Sequence, residues 1–155
     1  MEDLREAIKK AERIVICGIG NELRSDDAFG VLFAERLKEK VRNENVLILN
    51  CGAVPESFLG KIIEFNPDLI IFVDAVHFNG KPGELIIADP EGTLGDAIST
   101  HGMPLKILMK FIKEHINAKA ILIGCQPKSL EIFGKVSKEV GEALEKLLSL
   151  FCEVL

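Results

Sequence analysis

Four short runs of mostly branched apolar residues punctuate this chain: Ile14 to Cys17, Val46 to Leu49, Leu69 to Val73 and Ala120 to Ile123. Each is continuous rather than alternating, so neither face is meant for water, and each reads as a strand buried on both sides. The intervening segments carry apolar residues at helical spacing. Phe29, Phe33, Leu37 and Val41 form one stripe, and Phe58, Leu59, Ile62 and Ile63 form another behind Pro55. Leu105, Leu108, Met109, Ile112 and Ile116 make a third, and Val140, Leu144, Leu147, Leu148 and Phe151 a fourth. Strands alternating with amphipathic helices predict an α/β chain with a mainly parallel sheet covered by helices on both faces.

One segment breaks the rhythm. Glu84 to Ala88, sequence ELIIA, follows the Leu69 to Val73 run after a stretch too short for a crossover helix, and that stretch contains Asn79-Gly80 and Pro82-Gly83. It is expected to run antiparallel at a sheet edge. With 155 residues, 48% of them hydrophobic, residues 1–155 are expected to form a single domain around one core. The net charge of −5 is spread along the length with no basic run, which excludes nucleic acid as an expected partner. The opening MEDLREAIKKAERIVICG is charged, and its apolar stretch is shorter than a signal or membrane segment requires. No membrane association is expected, and the expected location is the cytoplasm. Cys17, Cys51, Cys125 and Cys152 form no CxxC pair and read as free thiols, mostly buried. The alternative is a thiol near a functional site, because Cys17, Cys51 and Cys125 lie toward the downstream ends of strands.

Three places carry residues suited to chemistry. GIGNELRSDDAFG, residues 18 to 30, follows the first strand and leads into a helix. A dinucleotide loop would need glycine where Leu23 stands, and Asp26 and Asp27 would oppose a pyrophosphate. The acidic pair suits a cation better. The plain alternative is that Ser25 or Asp26 caps the helix, with Asp27 in its first turn. Asp74 ends the apolar run LIIFVDA, on the rim where open α/β sheets bind ligands, and its alternative is a carboxylate bonded to loop amides. His101, in ISTHGMPL, precedes a helix whose N-terminus disfavours an imidazolium, as a metal ligand requires; its alternative is an exposed loop histidine. His77 is assigned to a turn and His115 to the surface.

Asp27, Asp74 and His101 thus sit at ends of separate elements that a doubly wound sheet brings to one rim. Two carboxylates and an imidazole suit Ni²⁺, Zn²⁺ or Mn²⁺ with positions left open for water or substrate. Affinity order alone does not choose among these metals.

At these residues the chain resembles the hydrogenase maturation endopeptidases, particularly the formate-hydrogenlyase type. The resemblance rests on GIGN, on SDD-x-x-G at Ser25 to Gly30, on VDA at Val73 to Ala75, on PGE at Pro82 to Glu84 and on THGMPL at Thr100 to Leu105. Ser25 departs from a glycine frequent among near relatives, and some relatives carry glutamate where Asp27 stands. The resemblance implies a three-layer α/β/α sandwich with a five-stranded mostly parallel sheet and one antiparallel strand. It also implies an endopeptidase, with nickel-recognising and catalytic roles on Asp27, Asp74 and His101. The partner it implies is a NiFe hydrogenase large-subunit precursor, from which a monomeric enzyme removes a C-terminal peptide. The nickel would be that of the substrate, with Zn²⁺ or another divalent ion substituting in the isolated protein. Two hydrolytic variants stand open: the metal as Lewis acid, or one carboxylate as general base with amides of the Gly18 to Asn21 loop holding the oxyanion. The alternatives from other classes are a nickel-binding maturation chaperone that cuts nothing and a nucleotide or nucleoside hydrolase. Asp26 is assigned a supporting or capping role, and Asn21 a turn tolerating unusual φ.

Overall fold

The computed structural model describes residues 2–92 and 103–155. In chain order its elements are α1 (Glu2–Lys10), β1 (Ile14–Ile19), α2 (Phe29–Lys40), β2 (Val46–Gly52), α3 (Leu59–Phe65), β3 (Leu69–Ala75), β4 (Leu85–Ala88), α4 (Leu105–Lys113), β5 (Lys119–Cys125) and α5 (Lys138–Val154). Short 3₁₀ turns, Ser25–Ala28 and Pro55–Phe58, lead into α2 and α3. The sheet order is β2-β1-β3-β5-β4. All pairings are parallel except β4 on β5, where Leu85 faces Cys125 and Ala88 faces Leu122. The expected α/β/α sandwich, with its antiparallel edge strand, is the architecture found.

Strand alternation divides the core into two layers. Ile14, Ile16, Leu69, Ile71, Val73, Ile123 and Cys125 pack on one face against α1, α2 and α5. Val15, Cys17, Ile19, Ile70, Phe72 and Leu122 pack on the other against Ile62 of α3 and Leu105, Leu108, Met109 and Ile112 of α4. Phe33 and Phe151 meet edge to face at 5.0 Å where α2 crosses α5. Helix α1 is the element the sequence reading missed. Its Leu4 and Ile8 are buried one helical turn apart, but at nine residues, several of them charged, it reads locally as a polar leader.

Chain direction reverses on either side of β1: the first crossover leads outward to β2 and the second returns to β3. The β1–β3 boundary is therefore the switch point, where diverging loops open a crevice above the strand ends. Helix α2 presses unusually close to that point. A Cβ on Gly30 would collide with the backbone of Ile19 and Val73, and one on Gly18 would collide with the Gly30 carbonyl and Ala34. These glycines bring two pieces of the chain together, rather than bringing backbone to a ligand.

Gly30→Ala should destabilise the protein by about 3 kcal/mol or more, because backbone has to move. Gly141→Ala, in an open stretch of α5, should be neutral or stabilising by roughly 0.5–1 kcal/mol. Urea unfolding of both variants against the parent checks the contrast.

Candidate active site

The loop after β1 is tied down before it reaches α2. Gly20 N–H donates to Gly52 O on the neighbouring strand end at 2.9 Å, and Asn21 Oδ1 accepts from Leu23 N–H at 2.9 Å in an Asx turn. Asn21 N–H donates to the Asp27 carbonyl at 3.2 Å and to its Oδ2 at 3.1 Å. Asp27 is thereby oriented by the loop it follows. Those same bonds occupy the Gly20 and Asn21 amides, two of the four amides in the loop from which an oxyanion hole was expected. The unusual φ lies elsewhere: Ser25, at φ 51°, takes the left-handed conformation assigned to Asn21. Such a conformation costs about 1–2 kcal/mol for a non-glycine residue.

Asp26 and Asp27 point to different tasks. Asp26 is fully buried and caps nothing in its own turn, contrary to the capping alternative. Its Oδ2 accepts from Lys128 N–H at 2.8 Å, Ser129 N–H at 3.1 Å and Ser137 Oγ at 2.9 Å, and its Oδ1 from Ser137 N–H at 2.7 Å. One carboxylate thus holds the loop between β5 and α5 against the loop after β1. Ser25 Oγ adds a 2.6 Å bond to Glu131 O, and Ser137 caps α5 by accepting from Val140 N–H.

Asp74 stands on β3 opposite Gly124 of β5 and is buried. Burial pushes its carboxyl well above the usual carboxylate range, and the negative charge of Asp27 pushes it further; Ala75 N–H, bonded to Oδ1 at 2.8 Å, pulls the other way. Asp74 Oδ2 accepts no hydrogen bond among the described residues. The fold therefore brings together two of the three expected site residues, Asp27 from the end of the β1 loop and Asp74 from the end of β3. His101 lies outside the described residues, and among those described no group of three His, Cys, Asp or Glu could hold a metal ion. Between the loop after β1 and the end of β2, Gly20, Asn21, Glu22, Val31, Asn50, Gly52 and Ala53 line an open cleft of about 300 Å³.

The remaining candidates fall mostly as expected. His115 is exposed on the surface. His77 is exposed beside a turn, and its Nδ1 lies 3.1 Å from Gln126 Nε2. Gln126 Oε1 takes the Phe78 and Gly80 amides, which orients its NH₂ to donate and makes His77 Nδ1 the acceptor. Cys17, Cys51 and Cys125 are buried free thiols and Cys152 is exposed. The Cys51 hydrogen bond and burial hold the Cys17 thiol well above its usual range, and burial followed by the charge of Asp26 pushes Cys125 up to about 12. Sequence reading missed the part played by the 126 to 137 loop; its signal was the return of that loop to the rim where β1 and β3 end.

A model of the hydrogenase maturation protease family matches residues 31–154. The hydrogenase 3 maturation protease of Escherichia coli K12 is 30% identical over 85% of this chain and 83% of its own length. The chain belongs to the hydrogenase maturation protease family. It is accordingly a hydrolase of the peptidase class. The crystal structure of the NiFe hydrogenase maturation protease HycI from Thermococcus kodakarensis superposes with a TM-score of 0.92 at 56% identity, covering 99% of this chain and 98% of that one. The hydrogenase maturating endopeptidase HybD of E. coli superposes at 0.71 with 26% identity, over 90% of this chain and 89% of that one.

Two outcomes follow from these environments. Because Asp74 binds its proton more tightly folded than unfolded, ionising it lowers stability as pH rises from the ordinary carboxylate range through the folded value. Asp74→Asn should match the parent near pH 4 and melt roughly 2–4 °C higher by pH 8, measured by thermal unfolding in EDTA. In native protein, iodoacetamide should modify Cys152 and leave Cys17, Cys51 and Cys125 intact until denaturant is added, as peptide mass spectrometry would read.

Proposed function

We propose that this protein is a cytoplasmic endopeptidase that removes a C-terminal peptide from a nickel-loaded NiFe hydrogenase large-subunit precursor. In this reading Asp27, Asp74 and His101 grip the nickel that the precursor carries. The observation supporting it most directly is the pairing of Asp27 and Asp74 at the switch point, close enough that one charge raises the proton affinity of the other. Two carboxylates converging in a buried rim call for a shared proton or a cation between them. Oxygen donors of this type, completed by an imidazole, fit a borderline divalent ion, and Zn²⁺ is expected to substitute in the isolated protein.

Bound nickel would supply Lewis acidity toward the scissile carbonyl or toward an attacking water. The chain's own residues do the rest. Asp27 is held in place through the Asn21 amide, so its orientation does not have to be established when substrate arrives. In the variant that leaves one carboxylate of the pair free of the metal, that carboxylate takes a proton from the attacking water and returns it to the departing amine. Water oxygen then bonds to the carbonyl carbon as the C–N bond breaks. The open cleft beside Asn21 and Asn50 offers room for the extended chain around the scissile bond.

Incubating the purified protein with nickel-loaded precursor and weighing the product separates this reading from a nickel-binding chaperone. Loss of a C-terminal peptide is expected; an intact precursor under confirmed binding would overturn the peptidase reading. Asp27→Ala, Asp74→Ala and His101→Ala should each slow processing roughly 100-fold or more. His115→Ala should be nearly silent. Near-parental rates in the three site variants would remove the site assignment.

A further inference from the structure

The three most exposed large hydrophobic residues among those described, Leu23 at 54%, Ile132 at 65% and Phe133 at 81%, belong to two loops tied directly to each other. Phe133 N–H donates to Leu23 O at 2.6 Å, and Phe133 itself takes a left-handed φ of 63°. That conformation is rare for a bulky residue and persists only when its surroundings enforce it. Here they do. Ser25 Oγ holds Glu131 O, it occupies the space a side chain on Gly134 would need, and Asp26 anchors Lys128, Ser129 and Ser137. A strained turn thus displays an aromatic ring to water that core packing has no use for. A second observation sits in the same loop: Arg24 Nε is buried and has no hydrogen-bond partner among the described residues. A buried donor of that kind lacks an acceptor that something else must bring.

We propose that Leu23, Arg24, Ile132 and Phe133 form a docking surface for the polypeptide substrate, with an apolar segment of the precursor on the three hydrophobic side chains and a carboxylate or carbonyl oxygen on Arg24. The proposal rests on the peptidase reading and adds where the precursor is held. Continuity with the site argues for this occupant. Asp27 N–H donates to Arg24 O at 3.0 Å and Asp26 N–H to Ser129 O at 3.1 Å, so the patch and the carboxylates share one backbone framework. A chain seated on the patch is thereby placed at a set distance from Asp27. Apolar anchors beside a lone unpartnered donor form the pattern of a protein interface.

The test uses the full chain and intact nickel-loaded precursor. Leu23→Ser and Phe133→Ser should each raise KM and the precursor Kd about ten-fold while kcat stays within about two-fold, the mark of lost substrate binding rather than lost chemistry. Phe133→Gly removes the ring and suits the left-handed φ, so it should fold at least as well as the parent and show the same loss. Phe133→Leu should restore most of the affinity. Unchanged KM and Kd in Phe133→Gly would overturn the docking surface while leaving the peptidase reading intact. A parent that binds precursor through these residues but never cuts it would do the reverse. Loss of self-association by sedimentation, or of binding to phosphatidylcholine–phosphatidylserine vesicles, with precursor affinity unchanged would assign the patch to another occupant and overturn the proposal.

Discussion

The site depends on how closely the start of α2 can approach the ends of β1 and β3. Gly18 and Gly30 remove the side chains that would hold the helix away, and Gly20 leaves room for the Asp27 carbonyl. Contact between bare backbones at this crossing puts the turn carrying Asp26 and Asp27 directly above the switch point. Strand β3 supplies Asp74 to the same place because its register on β1 pairs Gly18 with Val73, one residue before the acid. The carboxylate pair is thus a product of backbone packing, and each acid reaches it from a different element.

The two adjacent aspartates illustrate how environment separates like residues. Asp26 is satisfied by four donors from the β5–α5 connection and serves as an internal fastener. Asp27, one residue later, adds its charge to the Asp74 carboxyl, whose ionised form burial already disfavours. A fold that tolerates this second arrangement gives up stability locally, as sites arranged for binding or proton transfer commonly do. The Asp26 fastener and the strained turn at Ser25 join the loop that carries Phe133 to the loop that carries Asp27.

Much of the architecture was legible along the chain because burial on both faces leaves a direct mark on composition. The four apolar runs became β1, β2, β3 and β5, each extended by two or three residues, and the short connection before Leu85 was enough to predict an antiparallel edge. The extensions were invisible because Gly18, Asn50 and Gly124 continue ladders through hydrogen bonding, not hydrophobicity. Helix α1 escaped notice for a related reason: its stability comes from Leu4 and Ile8 docking beside α5, a tertiary contact.

Residue types and spacing by themselves determined the α/β class, the rim on which the candidate site lies and the candidacy of Asp27 and Asp74, since strand ends and acidic loops are local features of the chain. The tertiary structure alone decided that Asp26 fastens a loop more than a hundred residues away, that Ser25 rather than Asn21 carries the left-handed backbone, and that the Gly20 and Asn21 amides are engaged. Those outcomes depend on which donors arrive from distant segments and on what space is left for them. No local pattern encodes either quantity.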